Sequence, residues 1–166
     1  MMKDLPKLVV TDIDGVWTDG SMYYDESGNE FKRFHTYDSA GVLWFRKLNI
    51  PIAICTGEHT NAVQRRGEKL KVDHIFQGVK NKLELISGLC AEMNITLSQV
   101  AYIGDDLNDI NIIREVGFSA CPASAPKYMK DMVDVVLTQN GGSGVFREFA
   151  ELIIGPERLE TFLSEF

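Results

Sequence analysis

The stretch Lys7–Gly20, KLVVTDIDGVWTDG, decides how this chain is read. Leu8, Val9 and Val10 form a short β-prone run, and from Thr11 onward the chain turns abruptly polar and glycine-containing. Asp12 and Asp14 are thereby expected at the C-terminal end of a strand, the edge at which open α/β sheets bind ligands. A pair of carboxylates aimed out of that edge needs a chemical reason.

Apolar runs recur along the chain, each followed by a segment with helical spacing. Leu8–Val10 is followed, after an interruption, by Ser39–Leu48; Pro51–Cys55 by His59–Leu70; Asp73–Phe76 by Asn81–Met93; Val100–Ile103 by Asn108–Glu115; Phe118–Cys121 by Pro126–Asp131; and Val133–Leu137 by Gly144–Ile153. This alternation predicts an α/β fold, a doubly wound parallel sheet with helices on both faces. A length of 166 residues suits a single domain spanning 1–166.

The interruption, about residues 17–37, carries β-prone residues on both sides of the turn-rich cluster Asp25–Asn29 and reads as an inserted β-hairpin. Its aromatics Tyr23, Tyr24, Phe31 and Phe34 are expected to be exposed, and so to be covered by another subunit. The C-terminal segment Gly155–Phe166 carries apolar Leu159, Phe162 and Phe166, suited either to its own sheet or to a neighbour's pocket.

A net charge of −7 argues against nucleic acid or an anionic membrane as partner, since both demand a basic patch. The N-terminal MMKDLPKLVV has no stretch suited to a signal peptide, and no window approaches the length of a membrane span, so a cytoplasmic location is expected. Cys55, Cys90 and Cys121 are odd in number and widely spaced, as buried reduced thiols are. His35, His59 and His74 have no ligand spacing.

Four features fall at the predicted C-terminal ends of strands: Asp12 with Asp14, Thr56 with Gly57, Lys82 at a helix start, and Asp105 with Asp106 and Asp109 in GDDLND. Singly, each has an ordinary explanation as a chance pair, a helix cap, a surface lysine or helix N-terminal charge. Together they assemble what phosphoryl transfer requires. Asp12, Asp14 and Asp105 gathered at one site would repel unless a divalent cation neutralised them, and hard oxygen donors suit Mg²⁺. Thr56 and the turn amides can hold phosphate oxygens, while Lys82 adds a fixed positive charge.

In order, spacing and identity these residues resemble the haloacid dehalogenase superfamily of phosphatases, whose four motifs correspond to DIDG (Asp12–Gly15), Thr56, Lys82 and GDDLND (Gly104–Asp109). The resemblance implies a Rossmann-like sheet. It also implies Asp12 as nucleophile, forming an aspartyl phosphate, and Asp14 as general acid and base. Metal ligation falls to Asp12, Asp105 and the Asp14 main chain, with Asp106 orienting Lys82 and Asp109 supporting the metal shell.

Between Asp14 and Thr56 there is no room for a cap domain. Within that superfamily the chain resembles the capless, tetrameric phosphatases of 3-deoxy-octulosonate 8-phosphate and related ulosonate phosphates, a resemblance carried by TDIDGVWTDG, FHTYDSAG (Phe34–Gly41), QGVKNKL (Gln77–Leu83) and GGSGVFRE (Gly141–Glu148). It implies a homotetramer whose open site is completed by a neighbouring subunit, and a sugar-acid phosphate as substrate. Two departures bear on that substrate: Glu58 stands where octulosonate phosphatases usually have Arg, and Tyr37-Asp38-Ser39 replaces an Arg-Asp-Gly run.

With Arg65 and Lys69 on the following helix, this pattern resembles the nonulosonate branch, whose substrate is the nine-carbon 3-deoxy-D-glycero-D-galacto-nonulosonate 9-phosphate. That substrate is the first expectation, and the octulosonate 8-phosphate the alternative. The candidate substrate-binding set is Thr56, Gly57, Glu58, Arg65, Lys69, Lys82 and Asn108. A receiver domain would place its acidic pair first and its phosphorylated Asp later, which reverses the order here. A catalytically idle oligomerisation module, the remaining rival, would have no need of every catalytic position.

Overall fold

The structure, a computed structural model, describes residues 4–164. Its elements in chain order are β1 (Leu8–Thr11), β2 (Tyr23–Tyr24), β3 (Glu30–Phe31), α1 (Asp38–Lys47), β4 (Ile52–Cys55), α2 (Asn61–Leu70), β5 (His74–Phe76) and α3 (Lys82–Glu92). There follow β6 (Val100–Ile103), α4 (Ile110–Ile113), β7 (Phe118–Cys121), α5 (Lys127–Lys130), β8 (Val135–Val136), α6 (Val145–Ile154) and α7 (Pro156–Leu163). Six strands pair in parallel in the order β5-β4-β1-β6-β7-β8, and β2-β3 forms a separate antiparallel pair.

This is the expected doubly wound, Rossmann-like parallel sheet, with no cap domain between β1 and β4 among the described residues. Alternation along β1 divides the core. Leu8 and Val10 pack with Ala53, Cys55, Val100 and Tyr102 against Ile86 and Leu89 of α3, Ile112 of α4 and Met129 of α5. Val9 joins Ile52, Ile54, Ala101 and Ile103 against Val42 and Phe45 of α1 and Phe146 and Phe149 of α6. All four β1 residues are fully buried, as a central strand covered on both faces requires.

Two expectations are corrected. The helix predicted over Asn108–Glu115 is split into a 3₁₀ turn, Leu107–Asp109, and the four residues of α4. The cause is the Asp109 carboxylate, which accepts the Asp105 and Asp106 amides at 2.8 and 3.2 Å and draws the turn tight.

The arm over residues 17–37 pairs only at Tyr23–Tyr24 and Glu30–Phe31. Its first member, Trp17, lies in the core instead, where its indole donates to Thr11 Oγ1 at 2.9 Å and its ring lies 4.8 Å from that of Phe146. Tyr23, Tyr24 and Phe31 are exposed, but Phe34 packs on the core beneath the Arg66 guanidinium. Three residues apart on an extended arm, Phe31 and Phe34 face opposite sides. At the other end, Leu159 and Phe162 of α7 pack on this chain's own core, and Phe166 lies outside the described residues. No described helix is long and apolar enough to cross a membrane.

Candidate active site

Asp12 continues β1 beyond its last sheet residue: its amide donates to Ile103 O at 3.0 Å, so the pairing with β6 holds the carboxylate at the sheet edge. The chain then turns sharply. The amides of Val16, Trp17 and Thr18 all converge on the Ile13 carbonyl at 2.8–3.1 Å, which leaves the Asp14 carbonyl without a backbone donor among the described residues. Gly15 makes the turn at φ +83°, where a Cβ would lie 1.8 Å from Asp105 Oδ2. Gly142 braces the turn from below by donating to Val16 O at 2.9 Å.

The strands flanking β1 deliver the remaining groups. β4 ends at Thr56, buried, with Gly57 and Glu58 beyond it; β6 ends at Asp105. Asn81 caps α3 by accepting the Glu84 amide at 3.2 Å, which puts Lys82 in the first turn and points it under the sheet edge. Only 2 % of Lys82 is exposed, and its ammonium joins Asp12 Oδ2 at 2.8 Å and Asp109 Oδ1 at 2.6 Å.

A cleft of about 350 Å³ opens over these groups, lined by Asp12, Asp14, Gly15, Thr56, Gly57, Glu58, Asp105, Asp106 and Asn108, with Met22 and Leu107 also in its wall. Of the substrate set read from the sequence, Thr56, Gly57, Glu58 and Asn108 therefore meet here, and Lys82 lies behind Asp12. Arg65 and Lys69 do not: both are exposed on α2 and neither lines the cleft, whereas Arg66 between them turns inward to donate to His35 O at 3.0 Å.

The carboxylate cluster also differs from the expected one. Oxygens of Asp12, Asp105 and Asp109 lie within 4.8 Å of one another, while the Asp14 carboxylate stands apart, held at 2.7 Å by Lys32. Asp109 takes the Lys82-orienting role expected of Asp106 while standing in the carboxylate cluster expected of it. Asp109 orients Lys82 and also accepts the Tyr102 hydroxyl at 2.5 Å; Asp106 accepts its neighbour's amide at 2.8 Å and the Tyr128 hydroxyl. Four donors on two oxygens saturate Asp109, so Asp12 and Asp105 are the carboxylates with capacity left for a cation.

The sequence reading missed Lys32. Its signal was the alternation in Glu30-Phe31-Lys32-Arg33-Phe34, which turns every second residue of the arm inward.

Crowded like charges at a partly dry edge disfavour ionisation. Burial, with the charge of Asp109 added, pushes the Asp12 carboxyl up to about 7 against the opposing Lys82 ammonium. Burial and the charges of Asp12, Asp109 and Asp106 push Asp105 up to about 8. Burial alone would lower Lys82, but Asp12 and Asp109 outweigh it and hold the ammonium above its ordinary range. Such a cluster holds protons that a divalent cation can replace, and its hard oxygen donors match magnesium. The Asp12 and Asp105 carboxylates and the open Asp14 carbonyl fit that ion.

Residues 74–149 match the model of the haloacid dehalogenase-like hydrolase family. The chain is 37 % identical over 148 residues to the 3-deoxy-D-manno-octulosonate 8-phosphate phosphatase of Haemophilus influenzae, an alignment covering 89 % of this chain and 82 % of that protein. It superposes with a TM-score of 0.93 and 36 % identity on the corresponding Moraxella catarrhalis phosphatase in complex with magnesium, phosphate and KDO, covering 97 % of this chain and 93 % of that one. The cobalt-bound Haemophilus influenzae enzyme matches at 0.85 with 37 % identity, over 90 % and 87 % of the two chains. The chain belongs to the haloacid dehalogenase-like hydrolases, as a phosphatase similar to the octulosonate 8-phosphate enzymes.

Proposed function

We propose that this phosphatase hydrolyses 3-deoxy-D-manno-octulosonate 8-phosphate through an aspartyl-phosphate intermediate. The observation that carries the mechanism is Asp12 at the floor of an open cleft, one oxygen on a buried lysine and the carboxylate beside that of Asp105. In the first step an Asp12 oxygen bonds to phosphorus as the phosphorus–ester oxygen bond breaks, and the Asp14 carboxyl gives its proton to the departing oxygen. In the second, water attacks the phosphorus and passes a proton to Asp14, the bond to Asp12 breaks, and inorganic phosphate leaves. Lys82 anchors Asp12, while Thr56 and the Gly57 and Glu58 amides are available to phosphoryl oxygens. Bound magnesium, held by Asp12, Asp105 and the Asp14 carbonyl, would neutralise the carboxylates and draw charge from the phosphoryl group.

The eight-carbon substrate rests on relatives named for it at 35–37 % identity. The nine-carbon nonulosonate 9-phosphate is a second reading, favoured by one observation: Glu58 lines the cleft beside the carboxylate cluster and puts an anion where the sugar body would lie. Comparing kcat/KM for the two esters in the wild-type protein and in Glu58→Arg separates them. An eight-carbon preference in the wild type supports the first reading, and a nine-carbon preference reversed by Glu58→Arg supports the second. Asp12→Asn tests the mechanism that both share: it should abolish turnover and leave the fold intact, and ordinary turnover would overturn it.

Assembly into a homotetramer that completes each cleft is part of the proposal, supported by exposed Tyr23, Tyr24 and Phe31 on the arm that also carries Met22 to the cleft. So is a cytoplasmic location, supported by three free, buried cysteines.

A further inference from the structure

Burial alternates along the second strand of the arm. Phe31 and Arg33 are exposed, but the Lys32 side chain between them is only 1 % exposed. A buried ammonium on a small two-stranded arm needs anionic partners, and Lys32 has two. It lies 2.7 Å from Asp14 Oδ1 and 3.1 Å from Glu30 Oε1, on its own strand two residues back. The Thr18 hydroxyl donates to the same Asp14 oxygen at 3.2 Å. Asp14 Oδ2 is buried and makes no hydrogen bond, although the residue lines the cleft. One oxygen of this carboxyl is therefore clamped from two sides, and the other is buried without a partner.

We propose that Lys32 is a positioning residue for proton transfer: its ammonium, donating to Asp14 Oδ1, fixes the carboxyl in the orientation from which its proton passes to the departing ester oxygen. Lys32 is absent from the cleft lining, so it acts through Asp14 and does not touch the phosphate. The ammonium pairs with Asp14 and Glu30 at once, and of the two it is Asp14 that accepts a hydrogen bond from it. A carboxyl tied by the Thr18 hydroxyl alone would sample several orientations. Misplacing a reacting group by about 1 Å costs on the order of 10²-fold, within the 10²–10⁴-fold that general acid catalysis supplies. The arm is on this account part of the reaction machinery, beyond any part it has in assembly.

The inference rests on the phosphatase reading above and concerns its first step, in which the Asp14 proton passes to the ester oxygen as that oxygen leaves phosphorus. An alkoxide requires that proton; a p-nitrophenolate, already a stable anion, does not. The test is kcat/KM, which reports events up to leaving-group departure, for octulosonate 8-phosphate and for p-nitrophenyl phosphate with saturating magnesium. It is measured in the wild type, Lys32→Met, Lys32→Gln and Lys32→Arg, with circular dichroism reporting folding.

In whichever uncharged variant folds, the alkyl ester should lose about tenfold or more beyond the loss on the aryl ester, and Lys32→Arg should recover most of the difference. Equal losses on the two esters, or none, would overturn the proposal, as would failure of both uncharged variants to fold, which would make Lys32 a stability element. A wild-type protein that hydrolyses neither ester would remove the phosphatase reading itself, a result distinct from all of these.

Discussion

Lys82→Met removes one ammonium and keeps most of the apolar stem, so it isolates a charge. In the metal-free protein two carboxylates lose their ion-pair partner: Asp109, fully buried, at 2.6 Å, and Asp12, 3 % exposed, at 2.8 Å. Asp109 retains the Tyr102 hydroxyl and the Asp105 and Asp106 amides, but Asp12 retains only the Ile13 amide at 2.7 Å. Removing one member of a buried pair costs about 3–5 kcal/mol. At about 2–4 °C per kcal/mol for a chain of this size, Tm should fall by about 6–20 °C.

The loss should also carry a chemical signature. An orphaned carboxylate escapes by taking a proton or a cation, so the deficit should shrink on acidification and on adding magnesium. Urea denaturation at pH 6 and pH 8, with and without magnesium, measures all three effects. A metal-free variant within about 0.5 kcal/mol of wild type at pH 8, the range of ordinary surface changes, would refute the reasoning. So would a full deficit that neither acid nor magnesium relieves.

Two further predictions concern the same edge. Asp38, Asp12 and Asp105 are raised by burial, in the last two cases with neighbouring negative charge, from 3.8 to about 6, 7 and 8. The folded state therefore binds more protons than the unfolded one across this range. The stability these groups contribute is complete below pH 3.8 and is lost as pH rises through 6 to 8. Metal-free Tm should fall over that interval, and magnesium should raise Tm more at pH 8 than at pH 6; a flat metal-free profile would contradict the assignment. Gly15→Ala puts a methyl on a left-handed turn 1.8 Å from Asp105 Oδ2, so Asp105 or the turn must move. It should cost about 1–3 kcal/mol and weaken magnesium binding measured by calorimetry; unchanged magnesium affinity would show that Asp105 is not held where the geometry has it.

The parallel sheet was legible because alternating apolar runs and helical spacings leave few other solutions, and the residues that meet at its edge were legible because each ends a strand. What stayed hidden depended on contacts across the fold. Asp109 looked like helix N-terminal charge, yet its carboxylate gathers Lys82 and Tyr102 from other elements and breaks the predicted helix. Lys32 stands at an inward position of the arm's alternation, but the Asp14 it pairs with lies eighteen residues back and no local pattern names it. Trp17 read as the start of a hairpin, although its indole closes the loop on Thr11. Arg65 and Lys69 read as substrate-binding residues on the helix after Glu58, but they do not line the cleft, and it is Arg66 that the helix turns inward.

The sheet order has a consequence for biosynthesis. β1, made before the other described strands of its sheet, ends up in the middle, and its neighbours β4 and β6 lie far downstream in the chain. On the ribosome, at about 5–20 residues per second, Leu8–Thr11 waits about 5–20 s with a bare edge until Val100–Ile103 emerges. That interval favours a strand of only four residues, too short to template pairing with a neighbouring nascent chain.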